Sequence, residues 1–270
     1  MVHVMIEPPH VTDVHQKTQP PAVAIRDLWV TFPGARSGEE IPVLERINLE
    51  IRRGEFACFV GPSGCGKTTL LNVVGGFQRA TRGEVSVDGE PVRGQDPRRI
   101  FIFQEGGVFP WLTVRDNVGL GLSRKSADER SRIQRHYIDL VGLNGFENSY
   151  PHELSGGMRQ RVEIARALAA DPEIIYMDEP FGALDYFTRL KMRSDLLRIW
   201  RQERKTILFV THDVDEALQL ADRVFVLSRR PATMGLVADV NLRRPRDPDS
   251  LDYLKLRGQI LEALGVNRLI

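Results

Sequence analysis

Apolar and polar positions alternate from Val23 to Phe32 and again from Val43 to Arg52, which predicts two strands. The turn-rich run 33–42 (PGARSGEEIP) reads as the loop between them. Phe56–Val60 differs: it is apolar at every position and stopped by Gly61. That is the pattern of a short strand buried on both faces, as in a parallel sheet. A helix is predicted over Thr68–Phe77, and strands over Glu84–Asp88 and Ile100–Phe103. Ser126 and Glu129 have capping-box spacing and open a helix running to about Leu143. Met158, Val162, Ala165 and Ala169 recur at helical spacing and predict a helix over Ser155–Ala169. Glu173–Met177, Thr206–Val210 and Arg223–Leu227 are three more buried-type strands, with helices at Asp185–Arg204 and Asp213–Ala221 between them. Strand–helix alternation of this kind implies an α/β fold with a largely parallel sheet. From Gly106 to Leu154 no strand pattern occurs, so this part is an inserted helical segment. Residues 1–22 carry four prolines and few apolar clusters and read as a mobile tail. The tail histidines His3, His10 and His15 match no metal-ligand spacing.

Composition narrows the class without naming an activity. The 270 residues are 42% hydrophobic and 27% charged, which is ordinary for a globular chain. With 37 basic against 36 acidic residues the net charge is +1, so no bulk attraction to nucleic acid or anionic lipid follows, and no nucleic-acid partner is expected. Arginine makes up 31 of the basic residues, so a lysine inside a motif stands out. Two cysteines, Cys58 and Cys65, suggest a reducing compartment rather than a disulfide framework. No run approaches the ~18 apolar residues of a membrane span, and the N-terminus lacks a signal-peptide pattern. The chain is therefore expected not to cross a bilayer by itself.

Gly61-Pro62-Ser63-Gly64-Cys65-Gly66-Lys67-Thr68 satisfies the phosphate-binding pattern G-x-x-x-x-G-K-[ST]. It follows a buried strand and opens a helix, as the chemistry requires. Glycines let successive N–H groups turn toward phosphate oxygens, and the helix N-terminus adds partial positive charge. Lys67 would reach the β and γ phosphates and the Thr68 hydroxyl would ligate Mg²⁺; Thr69 belongs to the same nucleotide-binding set. Ile174-Ile-Tyr-Met-Asp178-Glu179 is an apolar strand ending in two acids. Asp178 could hold Mg²⁺, and Glu179 could polarise an attacking water. In Leu154-Ser155-Gly156-Gly157-Met158-Arg159-Gln160, Ser155 is a natural N-cap followed by two glycines that weaken a helix. Those glycines make sense if an anion must approach this helix end. Since the first loop already cradles one nucleotide, the second site would grip the γ-phosphate of a nucleotide held by another subunit.

With these motifs the chain resembles the nucleotide-binding subunit of ABC (ATP-binding cassette) transporters, over about residues 23–240. Gln104 matches that family's glutamine loop, Gly182-Ala183-Leu184-Asp185 the loop crossing the dimer seam, and His212 the switch histidine. Phe32 matches the aromatic that stacks on adenine, with Trp29 a competing candidate. The resemblance implies a P-loop NTPase (RecA-like) core sheet, an N-terminal antiparallel β subdomain and an inserted helical subdomain at about 106–165. The nucleotide-binding domain would span 23–245 and a helical extension 246–270. It implies ATP and Mg²⁺ as ligands, with Thr68, Gln104 and Asp178 at the metal, and Glu179, His212 and Gln104 in catalysis. It also implies two cassettes paired head to tail, as a homodimer or as two different cassettes, with the homodimer favoured. The permease subunits would be separate, with a solute-binding protein beyond them, and the whole would sit at the cytoplasmic face of a bacterial inner membrane. The segment Gly106–Val114 after Gln104 would be either core or the groove receiving a permease helix.

The finer resemblance is to importers of nitrate, sulfonates and taurine, through FQEGGVFPWLTV, THDVDEAL and the closing RRPRD. Only 43 residues follow Leu227, too few for the regulatory β-domain of maltose-type importers. Three features depart from the pattern: the length of loop 33–42, Met158 in place of Gln, and Glu163 in place of a small residue. The rival is a soluble cassette ATPase of the DNA-repair or translation kind, disfavoured by a single cassette, no heptad run and no paired CxxC. A binding-only module with an inactive site is disfavoured by intact Lys67, Asp178, Glu179 and His212.

Overall fold

The computed structural model describes residues 20–36, 38–103 and 107–266. The strands are β1 (Val23–Pro33), β2 (Glu40–Ile51), β3 (Phe56–Val60), β4 (Arg82–Val87), β5 (Glu90–Pro91), β6 (Arg99–Ile102), β7 (Ile174–Asp178), β8 (Thr206–Thr211), β9 (Arg223–Leu227) and β10 (Met234–Asp239). The helices are α1 (Lys67–Val74), α2 (Val114–Gly119), α3 (Ala127–Leu140), α4 (Gly156–Ala169), α5 (Tyr186–Glu203), α6 (Val214–Leu220) and α7 (Leu251–Ala263).

Strands β6, β7, β8, β3 and β9 form a parallel sheet in the order β10-β9-β3-β8-β7-β6, closed at one edge by antiparallel β10. A second sheet, β2-β1-β4-β5, is antiparallel throughout. The expected α/β architecture is thus observed. Every residue of β3, β7 and β8 is buried, because both faces of the sheet are covered. Strand alternation deals these side chains to two cores. Phe56, Cys58 and Val60 join the core built with α2–α7, while Ala57 and Phe59 join the core shared with α1 and the antiparallel sheet. Both cysteines are buried free thiols, and burial pushes the Cys58 thiol well up.

Local chemistry moves several boundaries away from the sequence expectation. β1 and β2 continue pairing through Pro33↔Glu40, so both ends of 33–42 are hairpin strand and the loop shrinks to 34–39. α1 stops at Val74, short of Phe77, because Gly75 and Gly76 follow. A side chain on Gly76 would meet the Gly94 carbonyl at 2.1 Å, so the chains can approach only there. Helices α2, α3 and α4 fill the inserted segment, opened by the N-caps Thr113, Ser126 and Ser155. β10 escaped the hydrophobic pattern because it is an edge strand with mostly exposed or half-buried positions. Beyond it, Arg246 is buried and donates to the carbonyls of Leu218 (2.5 Å) and Val240 (2.9 Å). It thereby satisfies a carbonyl near the end of α6 and ties the segment before α7 to the sheet. Burial lowers its guanidinium to about 10. The tail histidines lie outside the described residues, whereas Ala22 is buried directly before β1.

Candidate active site

Parallel register gathers the site. Val60 pairs with Thr211 and Asp178 with Val210, so β3, β7 and β8 end at one edge of the sheet. Gly61, Glu179 and His212 therefore all leave the sheet at its carboxyl edge, where ligands bind in open α/β folds. A cleft of about 530 Å³ opens there, lined by Phe32, Val43, Ser63, Gly64, Gly66, Lys67, Thr68, Thr69, Glu179 and Arg230.

The glycine loop bends as only glycine can. Gly66 has φ +119°, and a Cβ on it would lie 2.9 Å from both Leu44 and Val43 side chains. Lys67 is buried, and its ammonium donates to the carbonyls of Gly61 (2.8 Å) and Pro62 (3.1 Å). The ammonium is therefore folded back over the loop. No side chain caps α1 and no acid sits in its first turn, so its N-terminal donors stay available for an anion. Not every loop residue faces the cleft. Cys65 is turned into the core beneath the antiparallel sheet, and Gly61 and Pro62 contribute carbonyls to Lys67 rather than lining.

Asp178 is 9% exposed at the tip of β7. Burial raises its carboxyl above the usual range, a donated bond from the Thr68 hydroxyl lowers it, adjacent Glu179 raises it and Lys67 lowers it. Two hard oxygen donors, Thr68 and Asp178, therefore face each other beside a phosphate cradle. That set suits Mg²⁺, which takes one or two protein oxygens and completes its shell from phosphate and water. Among the described residues no cluster of three or more metal-binding side chains exists.

Glu179 adopts φ +46°, a left-handed conformation uncommon for a residue with a side chain. Its N–H donates to the Val210 carbonyl at 3.0 Å, and its Oε2 lies 3.0 Å from His212 Nδ1. The His212 ring is 60% exposed. Its two neighbours in the chain are held from below. The Thr211 hydroxyl donates to Glu216 (2.6 Å) and accepts from the Asp213 N–H (3.0 Å). Arg193 on α5 donates to Asp213 (2.6 Å) and Glu216 (2.9 Å). Sequence reasoning missed Arg193, Asp213 and Glu216, since acids and arginines on a helix face look like solvated surface. It also missed Val43 and Arg230 in the cleft, which carry no motif.

Phe32 lines the cleft. Trp29 does not: its indole N–H donates to Asp27 (3.0 Å) and Arg82 stacks over its ring. Ser155, Gly156, Gly157 and Asp185 lie outside this cleft. Ser155 caps α4 by accepting from the Met158 N–H, and Asp185 caps α5 by accepting from the Thr188 N–H. Both Ser155 and Gly156 are exposed, but Gly157 is buried, and a Cβ there would stand 2.6 Å from Thr188 Cγ2. Close packing of α4 on α5 within one chain thus gives this glycine a reason of its own. Gln104 lies outside the described residues. Nearby, Trp111 is 69% exposed on the surface of the helical part. A groove of about 580 Å³ between α5, α6 and α7 lacks this chemistry, because its Arg193 and Arg257 are already paired to Asp213 and Asp215.

Comparison with known proteins bears on the family. Residues 44–182 match the ABC transporter family. An uncharacterised ABC transporter ATP-binding protein of Methanocaldococcus jannaschii is 49% identical over 230 residues, covering 84% of this chain and 86% of that protein. An aliphatic sulfonates import ATP-binding protein of Bacillus thuringiensis is 45% identical over 222 residues, covering 82% and 88%. Among solved structures, a dimeric post-hydrolysis ATP-binding cassette bound to ADP and Pi superposes with a TM-score of 0.70 at 33% identity, covering 81% of this chain and 99% of that one.

Proposed function

The chain belongs to the ABC transporter family, as an ATP-hydrolysing cassette, and from that membership we propose that it powers an importer for a sulfonate or a similarly small solute such as taurine or nitrate. The relative named for aliphatic sulfonate import supports the solute class. Among the described residues no helix is long and apolar enough to cross a membrane, so passage of the solute falls to separate permease subunits at whose cytoplasmic side the cassette docks.

One observation carries the mechanism. The cleft holds Lys67, Thr68 and Glu179 with Asp178 and His212 beside it, while Ser155, Gly156 and Asp185 are presented elsewhere. A second copy, docked head to tail, brings its Ser155–Gly156 helix end and Asp185 over the open side of this cleft; the dimeric cassette bound to ADP and Pi supports that arrangement. Phe32 offers its ring to the adenine. The loop N–H groups and the α1 N-terminus receive phosphate oxygens, and Lys67 swings from its two carbonyls to the β and γ phosphates. Thr68 and Asp178 would hold Mg²⁺, which neutralises charge on the phosphates as the terminal one departs. Glu179 accepts the proton of the attacking water. His212 gives up its contact with the Glu179 carboxylate and donates its N–H to the γ-phosphate once that group arrives. Gln104, by the family resemblance, would pass the change at the nucleotide to the permease.

The test is to purify the cassette with its permease and binding protein and measure phosphate release. Stimulation by a sulfonate, but not by an unrelated sugar or amino acid, is expected. Stimulation by neither taurine, an alkanesulfonate nor nitrate removes the solute assignment and leaves the ATPase standing.

A further inference from the structure

Glu163 is buried at 2% exposure in α4. A carboxylate in that position needs a reason. It accepts from the Gly107 N–H at 2.5 Å. One helical turn along, Arg166 donates to the carbonyl of the same residue at 2.5 Å. The i,i+3 spacing puts the anion and the cation on one face of α4. Between them they take both backbone groups of Gly107. Burial raises the Glu163 carboxyl and lowers the Arg166 guanidinium, while the bond from Gly107 to Glu163 and the charge of each on the other work against those shifts.

A second bracket follows two residues later. Asn117 of α2, fully buried, accepts from the Phe109 N–H (2.9 Å) and donates to the Phe109 carbonyl (3.1 Å). Arg166 also stacks over the Phe109 ring at 5.3 Å, and that ring lies 5.5 Å from Trp111. Irregular backbone is thus fastened at alternate residues to two helices, and the residue it presents outward is the most exposed tryptophan of the fold.

We propose that Glu163 and Arg166 form a mechanical clamp that makes the Trp111 surface move as one body with α4. This rests on the dimeric reading above, in which the N-terminus of α4 meets the partner's nucleotide. Glu163 sits roughly 10 Å along the helix from Gly156, at ~1.5 Å per residue. A helix is stiff over that distance, so a displacement imposed at Gly156 arrives at Gly107 undiminished. A single hydrogen bond to a flexible loop would absorb it. Two opposite charges on one residue do not, because slippage of the loop would leave the buried Glu163 and the half-buried Arg166 without these partners. Glu163 and Arg166 are positioning residues in this scheme and do not touch nucleotide.

Hydrogen exchange read by mass spectrometry on the full chain tests it, in a Glu179→Gln background that retains ATP. With Glu163 present, ATP-driven dimerisation should change exchange in a peptide covering 107–112. In Glu163→Ala, exchange there should rise about tenfold in the free chain, the loss expected for one charge-assisted bond. The dimer should still form, yet the ATP response at 107–112 should vanish. Glu163→Gln keeps an acceptor for Gly107 and should restore most of that response. If Glu163→Ala dimerises and 107–112 responds to ATP as before, the clamp does not transmit. If no dimer forms even with Glu163 intact, the dimeric reading is overturned, and transmission with it. Arg166→Ala tests the other arm of the clamp: it should give the same loss of response, and an unchanged response there also overturns the proposal.

Discussion

His212 Nδ1 lies 3.0 Å from Glu179 Oε2, joining the residues that follow two neighbouring strands, β8 and β7. With the proton on Nδ1 the imidazole donates to the carboxylate and fixes its direction. A base needs orientation as well as acidity, so the pair behaves as a unit.

Replacing Glu179 by Gln removes the proton acceptor but keeps the contact with His212. ATP affinity should be unchanged while phosphate release falls at least about 100-fold, within the range for loss of a general base. Size-exclusion chromatography should show an ATP-dependent dimer. A rate near that of the parent would exclude Glu179 as the base.

The two glycines at the start of α4 should respond differently. Gly157→Val drives a side chain into Thr188 of the same chain, where the Cβ alone would stand at 2.6 Å. It should lower stability by about 1–3 kcal/mol, the usual cost of overpacking, with or without nucleotide. Gly156 is exposed, and its nearest neighbour would be Leu184 Cδ2 at 3.5 Å. Gly156→Val should leave the melting temperature within a few degrees and still abolish ATP-dependent dimerisation. Equal behaviour of the two variants would contradict the structure.

Arg193 neutralises Asp213 and Glu216 below the histidine turn. Arg193→Met leaves two acids without their cation and should cost about 3–5 kcal/mol, as removal of one partner from a buried ion network does. Chemical denaturation measures that loss. Arg193→Lys should recover part of it, because an ammonium reaches one acid but lacks the planar fork for both.

Asp178 has the opposite signature. Its carboxyl is raised in the folded chain, chiefly by burial. The folded state then holds that proton more tightly than the unfolded state, so this group favours folding at low pH. Its contribution declines as pH rises through the raised folded value. Asp178→Asn should therefore raise the melting temperature of the nucleotide-free chain at neutral pH while abolishing Mg²⁺-dependent hydrolysis. A lower melting temperature at pH 7, together with none of the pH dependence lost, would show that the ionised carboxylate is stabilising instead.

Trp111→Ala should leave ATP hydrolysis by the isolated cassette within about twofold, since the ring is exposed and remote from the cleft lining, and surface changes cost little. Co-purification with the permease should drop. Retained assembly would move the docking surface elsewhere.

Local rules read from the chain alone already specify much of this protein. The all-apolar runs of β3, β7 and β8 declare strands buried on both faces, and a glycine loop ending in Lys67-Thr68 declares a phosphate cradle, because backbone chemistry there depends only on adjacent residues. The caps at Ser126 and Ser155 are legible for the same reason. Tertiary structure alone decided the rest. It placed Phe32 rather than Trp29 in the cleft, turned Cys65 inward, assigned Gly157 to Thr188, and set Glu163 and Arg166 on the backbone of Gly107. It also hid β10 at a sheet edge, where alternation is weak, and built the Arg193 network from residues that look like ordinary surface charge. The division is physical. A motif is visible when its residues are neighbours in sequence, but a buried charge is intelligible only when its partner, 20 to 56 residues away, is folded against it.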